Sequence, residues 1–345
     1  MTSRKLHWGI LGTGNIARQF AQAMAESRRG ELAAVASRAD ATAKRFAAAN
    51  RIPLAYGSYD ALLADRSIDA VYIPLPNSMH HEWAIVSLRA GKHVLCEKPI
   101  AANREQALEM FAVARGAGCL LVEAFMFRSH PLTAAWLQQI RNGAIGQPRL
   151  MRSSFCFCTR QRDGNIRFSR ELAGGALMDV GCYCVNLSRL VAADEPVSVT
   201  VSSVLSESGV DEVTAGTMRF SSGLIAAFTC GMTVHADNAA SVCGTGGFVE
   251  IPIPWKPPAN HATYELSASV PPMMDIGASA GPAPLPGSAP RQIISVDAGV
   301  PLLALEADDL AAAVIDGAPP AVSEADSLGN MAVLDQMRAL AGLPY

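Results

Sequence analysis

The chain has 345 residues, half of them hydrophobic and 17% charged, with a formal net charge of -3. That length accommodates two domains, and the hydrophobic fraction supports a large core without disulfides. The slightly acidic balance excludes a basic surface for nucleic acid or anionic lipid, and no run approaches the roughly 20 apolar residues of a membrane span.

In chain order, residues 1–123 alternate short β-like runs with helical stretches. The basic start followed by apolar residues mimics a leader, but Gly9, Gly12 and Gly14 break the run, which suits a strand and a turn. Leu6–Leu11 is the first expected strand. A helix over 15–26 follows, with Ile16, Phe20 and Met24 spaced by four. Strands are expected at 32–37, 54–56, 69–73, 93–96 and 119–123. Helices are expected at 41–49, 80–90 and 104–115, with Gly91 closing the second of these. This order predicts a parallel sheet covered on both faces.

The pattern changes near residue 125, which divides the chain into an expected cofactor domain (1–125) and an expected substrate and oligomerisation domain (126–345). A helix over 131–141, a strand over 150–158 and a helix over 175–190 come first. Short runs rich in Val, Ser and Thr between 196 and 253 predict a mostly antiparallel sheet. Residues 256–290 are rich in Pro, Gly, Ser and Ala without periodicity and are expected to be irregular. A last helix spans 322–342, with Ser323 as N-cap before Glu324. The fold class is therefore α/β: a doubly wound N-terminal sheet plus an α+β domain with an open antiparallel sheet.

The eight cysteines, at 96, 119, 156, 158, 182, 184, 230 and 243, include no C-x-x-C pair. Cys156 and Cys158 alternate along an expected strand and share a face. We read them as reduced thiols in apolar surroundings rather than metal ligands. Free thiols point to a reducing, cytoplasmic compartment. His80, His81 and Glu82 lack a third ligand at suitable spacing, so no metal is expected.

Gly12-Thr13-Gly14-Asn15-Ile16-Ala17 fits G-x-G-x-x-A between an expected strand and helix. The first glycine makes the turn, the second lets backbone approach a pyrophosphate, and Ala17 permits close helix packing. The anion sits at the helix N-terminus. An NAD-specific domain places Asp or Glu at the end of the second strand. This chain has Ser37 and Arg38 there. A guanidinium holds a 2′-phosphate that a carboxylate repels, so NADP is the expected cofactor. Asp40 nearby reads as a cap for the following helix. A solvated surface arginine is the plain alternative for Arg38.

Four segments carry a resemblance. They are Ala90-Gly91-Lys92-His93-Val94-Leu95-Cys96-Glu97-Lys98-Pro99, Gly174-Gly175-Ala176-Leu177-Met178-Asp179-Val180-Gly181-Cys182-Tyr183, Pro74-Leu75-Pro76-Asn77-Ser78-Met79-His80 and Glu123-Ala124-Phe125-Met126-Phe127-Arg128. Together they resemble the glucose–fructose oxidoreductase / inositol dehydrogenase / rhizopine-catabolism family, from about residue 6 to 340. The resemblance implies that Lys98 faces the nicotinamide and the substrate oxygen and that Glu97 contacts the nicotinamide ribose. It also implies that Leu75, Pro76, Asn77 and His80 line the cofactor cleft, with Arg128 as a further cofactor residue, and that the open sheet pairs two subunits. Where many members carry His, this chain has Tyr183. That version is similar to a subset comprising glucose–fructose oxidoreductase, dimeric dihydrodiol dehydrogenases and NADP-dependent xylose dehydrogenases. Gly164-Asn165-Ile166-Arg167-Phe168 also resembles that subset.

Asp179 and Tyr183 are four apart on an expected helix and project from one face. A carbinol that loses hydride also loses a proton. A phenol of pKa about 10 is a poor base at neutrality, and a neighbouring ammonium is expected to lower it. Lys98, Tyr183 and Asp179 thus form the expected catalytic set, with Asp179 orienting the lysine or a substrate hydroxyl and Arg167 as a further substrate contact. The plain alternatives are a core tyrosine, a capping or ion-paired aspartate and a solvated arginine. The reading favours an NADP-dependent dehydrogenase of a sugar-like carbinol, acting as a homo-oligomer. Oxidation of a trans-dihydrodiol and a non-catalytic NADP sensor are the alternatives.

Overall fold

A computed structural model describes residues 4–268 and 290–343. The N-terminal sheet has six parallel strands: β1 (Leu6–Leu11), β2 (Gly30–Ala36), β3 (Leu54–Tyr56), β4 (Ala70–Ile73), β5 (His93–Glu97) and β6 (Leu121–Ala124), in the order β3-β2-β1-β4-β5-β6. Helices α1 (Asn15–Ala23), α2 (Asp40–Asn50), α3 (Tyr59–Leu63), α4 (His80–Arg89) and α5 (Arg104–Ala117) connect them. Every residue of β4 and β6 is buried, as expected of parallel strands covered on both faces. Phe20 of α1 stacks on Tyr72 of β4 with centroids 4.0 Å apart and meets Trp8 of β1 edge-on. The alternation read from the sequence is thus a Rossmann sheet. The short α3 carries too few residues to show a period. Asp40 does not cap α2: it lies inside the first turn, and its carboxylate pairs with Lys44, 2.8 Å away on the next turn.

The second sheet has eight strands: β7 (Pro148–Cys156), β8 (Pro196–Leu205), β9 (Asp211–Phe220), β10 (Ile225–Gly231), β11 (Ala240–Gly244), β12 (Gly247–Ile251), β13 (Ala262–Ala268) and β14 (Gln292–Val296). Their order is β14-β13-β12-β11-β7-β10-β9-β8. All pairs are antiparallel except β7 with β10. β13 corrects the expectation of irregular chain throughout 256–290; residues 269–289 lie outside the described residues. β7 ends at Cys156, so the buried Cys156 and the exposed Cys158 do not share a strand face.

Helices α6 (Pro131–Arg141) and α7 (Cys182–Ala192) cover one face of this sheet. The last two, α8 (Leu302–Asp316) and α9 (Glu324–Leu340), return to the first domain, α8 against α1 and β5 and α9 against α5. Asp308 of α8 locks this return by accepting hydrogen bonds from the backbone N–H groups of Arg28 and Arg29 at 3.0 and 2.9 Å. Ser323 caps α9 in a reciprocal box with Asp326, as its position predicts. The sheet face that no described helix covers carries a groove of 560 Å³ lined by Arg152, Ser154, Ala227, Thr229 and Ser241. Among the described residues no helix is long and apolar enough to cross a membrane.

Candidate active site

β1 runs into the glycine loop, where Gly12 takes φ +115° and its N–H donates to Ala36 at the end of β2 at 2.9 Å. A side chain at Gly12 is disfavoured twice, by this left-handed backbone and by Leu75 Cδ2, which a Cβ would meet at 3.0 Å. Gly14 is exposed, and a Cβ there would meet nothing within 4 Å, so the space above the loop is open to a ligand. Gly14, Asn15 and Ile16 begin α1 without a side-chain cap or an acidic residue in the first turn. The first amides therefore remain available to an anion, with the dipole in its favour. Thr13 is half-buried in the loop. At the end of β2, Ser37 is buried and Arg38 exposed, close enough to Tyr59 to influence its phenol electrostatically. These features fit a dinucleotide carrying an extra phosphate.

β5 delivers Glu97 and Lys98, followed by a cis Lys98-Pro99 bond. Side chains from three elements hold the turn. Glu97 Oε2 accepts from the N–H of Lys98 at 3.2 Å, and its Oε1 accepts from the Tyr72 hydroxyl at 2.5 Å. His80 is fully buried, with ring nitrogens 2.9 Å from the Pro99 oxygen and 2.8 Å from the Leu75 oxygen. Burial outweighs these two acceptors and pushes its pKa down to about 4, so the ring is neutral at pH 7. A neutral ring carries a single N–H, so His80 donates to one of these two oxygens, and it is buried between the Leu75 loop and the Lys98 turn rather than forming an open wall of the cleft. Glu123 of β6 accepts from the N–H of Ile100 at 2.9 Å. Leu75, Pro76 and Asn77 stay half-buried, and Asn77 reaches across the domains to donate to the Ala173 oxygen at 2.8 Å.

The second domain contributes a π-helical turn over Leu177–Gly181, which leads directly into α7. Such one-turn bulges re-aim side chains and recur at functional sites. Lys98 Nζ lies 2.6 Å from the backbone oxygen of Asp179, 3.4 Å from its Oδ1, and 5.2 Å from the centroid of the Tyr183 ring. Arg167 Nε donates to Asp179 Oδ2 at 2.6 Å. Gly174 permits this approach, because a Cβ there would come within 2.3 Å of the Arg167 backbone oxygen. Lys98, Asp179, Tyr183 and Arg167 are thus brought together as one cluster from two domains.

Tyr183 is enclosed by Phe125, Phe127, Phe155 and Trp255, with ring centroids 5.2 to 6.0 Å from its own. Burial pushes its phenol well above the ordinary value, and neighbouring Glu97 adds to this. The expected lowering by Lys98 is overcome, because burial, Glu97, Cys182, Glu306 and Asp179 all favour the neutral phenol. Burial is the largest single influence and works against the Lys98 charge, but attraction to Asp179, together with Cys182 and Glu97, holds the lysine above its ordinary range. Burial likewise opposes the Asp179 carboxylate, and Lys98 with Arg167 overcomes it.

A family model described as an oxidoreductase family with an NAD-binding Rossmann fold matches residues 6–125, and one for the GFO/IDH/MocA C-terminal domain matches 134–250. The chain belongs to the GFO/IDH/MocA oxidoreductase family. It is 41% identical over 221 residues to D-xylose 1-dehydrogenase (NADP(+)) 2 of Haloferax volcanii, covering 64% of this chain and 67% of the relative. It is 36% identical over 254 residues to trans-1,2-dihydrobenzene-1,2-diol dehydrogenase of Xenopus laevis, covering 72% and 76%. Among solved structures, a 3-ketoreductase from Actinomadura kijaniata in complex with NADP and TDP-benzene superposes with a TM-score of 0.83 at 30% identity, covering 97% of this chain and 98% of the other.

Within this family frame, one expected cofactor residue is placed elsewhere. The buried Arg128 guanidinium donates to Asn186 Oδ1 of α7 at 3.1 Å, to the Ala321 oxygen at 2.8 Å and to Asp326 of α9 at 3.3 Å. It binds α7 and α9 to the end of β6 and is spent on the domain junction. Sequence reading also missed Phe155 and Trp255 as walls around Tyr183, and Glu306 of α8. Both Glu306 carboxyl oxygens are buried without a hydrogen-bond partner. Burial and Glu97 push that carboxyl well above the ordinary range. A glutamate in an Ala- and Leu-rich helix gives no local sign of such a position.

Proposed function

We propose that this chain is an NADP-dependent dehydrogenase of the aldose type, moving hydride between the nicotinamide and a sugar or sugar-like carbinol. The observation that carries the reading is the junction of the Lys98 ammonium, held by Asp179, with the phenol of Tyr183. Exposed Arg38 at the end of β2, with no acidic residue in its place, favours the 2′-phosphate. The NADP-dependent xylose dehydrogenase among its relatives supports both parts.

NADP when bound supplies the hydride chemistry. The amides at the start of α1 would hold its pyrophosphate and Arg38 its 2′-phosphate, with Glu97 at the nicotinamide ribose. Lys98 donates a hydrogen bond to the substrate oxygen and stabilises negative charge developing there. The proton passes between that oxygen and the Tyr183 hydroxyl. Because burial favours the neutral phenol, Tyr183 is ready to donate during carbonyl reduction, and oxidation requires alkaline conditions to supply its phenolate. Asp179 would help keep Lys98 charged and in place, and Arg167, fixed on the same carboxylate, would contact a substrate hydroxyl.

The aromatic walls favour one second reading, oxidation of a trans-dihydrodiol, whose ring would lie against Phe155 and Trp255, themselves stacked at 5.5 Å. A non-catalytic sensor would have no use for the charge-balanced cluster. We place the enzyme in the cytoplasm, consistent with eight free thiols. We also propose a homodimer across the open sheet, where Ile225 and Val204 are exposed; a monomeric mass by sedimentation would contradict it. The test of the activity is NADPH formation over a panel of aldoses and trans-dihydrodiols, repeated with NAD. Turnover of an aldose with NADP is the expected result. Turnover of dihydrodiols alone would select the second reading, and none on either class would refute both.

A further inference from the structure

Lys98 sits on a turn that must hold an ammonium in place across a domain boundary. Pro99 fixes one backbone torsion, and at the exit of the turn the Ile100 N–H has one side-chain acceptor, Oε1 of Glu123 at 2.9 Å. Ile100 is fully buried and Glu123 is 1% exposed, so neither group has water as a substitute. Glu123 stands on β6, against which α9 packs. It therefore joins the Lys98 turn to the helix that also braces α7, the carrier of Tyr183.

We propose that Glu123 is a positioning residue for the reaction: its carboxylate holds the Lys98-Pro99-Ile100 turn so that the lysine stays on Asp179 and under the Tyr183 ring. This rests on the reading of Lys98 as the catalytic ammonium. A carboxylate accepts from an N–H about twice as strongly as a neutral acid, so the grip depends on ionisation.

The groups facing Glu123 are known from each side. β5 presents the Cys96 thiol, and the turn after β6 presents Arg128. α7 presents Arg189 and the Cys182 thiol, and α9 presents Asp326 and the Ser327 hydroxyl. Burial opposes the charge most strongly, Ser327, the Ile100 N–H and Arg189 favour it, and Asp326 opposes it. The balance raises the carboxyl to about 7. His80, at about 4, lies well below that range, and Lys98 and Tyr183 lie above it. The turn should therefore be gripped above about pH 7 and loosened as pH falls through that value.

The experiment uses the full chain and the variants Glu123→Gln, Glu123→Ala and Lys98→Met. It measures kcat and KM against pH with NADP and the best substrate of the panel, NADP affinity by calorimetric titration, and hydrogen exchange of the Ile100 amide. In Glu123→Ala, kcat should fall roughly 10- to 100-fold, the scale of a misplaced catalytic group, with NADP affinity unchanged and the Ile100 amide exchanging faster. Glu123→Gln keeps an acceptor but not the charge, so it should behave at every pH like the protonated parent, with kcat between those of the parent at high pH and Glu123→Ala, and without the ionisation near pH 7. That limb persisting in Glu123→Gln, or a normal kcat in Glu123→Ala beside an inactive Lys98→Met, would overturn the proposal. Normal turnover in Lys98→Met would instead remove the reading on which it rests, and the proposal with it. Should Glu123→Ala fail to fold, the pH profile and the amide exchange of Glu123→Gln decide alone.

Discussion

The ammonium of Lys98 is bonded to both the backbone and the carboxylate of Asp179, 81 residues further along the chain. One residue thereby ties the exit of the Rossmann sheet to the π-helical turn of the second domain. The pair is well shielded from solvent, with side chains 13% and 16% exposed, and Asp179 is the largest of the attractions that keep the lysine charged against burial. Replacing Asp179 by Asn removes that support, and desolvation then dominates. The Lys98 pKa should fall, so the ammonium is lost as pH rises, and the alkaline limit of activity should move to lower pH. A kcat profile of Asp179→Asn, with kcat reduced by about 10²-fold or more, checks this.

Arg38 is exposed at the end of β2 and has no carboxylate partner among the ion pairs of the described residues. Arg38→Ala should weaken NADP binding by about 10- to 100-fold, the worth of one charge-assisted contact, and leave NAD binding unchanged. Calorimetric titration of both cofactors measures the ratio.

The elements most legible in the sequence are those whose signals are local. The glycine loop sits between one strand and one helix, and Ser323 caps α9 from three residues away. Lys98, Asp179 and Tyr183 were legible as residues, through the motif segments, but the electrostatics among them were not. The direction of the Tyr183 shift depends on burial among four rings from distant parts of the chain and on the acidic side chain of Glu97. β13 was hidden because its seven residues lie within a stretch dominated by Pro, Gly and Ser. α8 was hidden because Ala, Leu and Val run along both its buried and its half-buried sides and a buried glutamate, Glu306, interrupts the apolar face, which blurs the 3.6-residue stripe. The same burial makes Glu306 and Glu123 unusual, and neither announces it by sequence spacing.

Arg128 shows how a residue in a motif can serve the frame instead of the ligand. Its ion pair with Asp326 joins α9 to the turn after β6, with the arginine side chain only 9% exposed. Arg128→Ala leaves Asp326 and Asn186 short of a partner and should lower stability by about 1–3 kcal/mol, because Asp326 is partly exposed and keeps its Ser323 bonds. NADP affinity should be unchanged once the protein is folded. Denaturant unfolding and cofactor titration on the same sample separate the two effects; a large loss of affinity without loss of stability would return Arg128 to the cofactor site.

The most direct measurement is the steady-state rate of NADPH formation by Tyr183→Phe against the parent chain, followed from pH 6 upward to about 10. The substitution removes one hydroxyl from an otherwise intact aromatic enclosure, so folding and NADP affinity should survive. The parent should oxidise its substrate faster as pH rises toward the phenol's elevated pKa, because more phenolate is available to take the proton. The variant should be slower by about two to four orders of magnitude and should lose that alkaline rise. Near-parental turnover in Tyr183→Phe, with the alkaline rise intact, would contradict the account and move the proton transfer to Lys98.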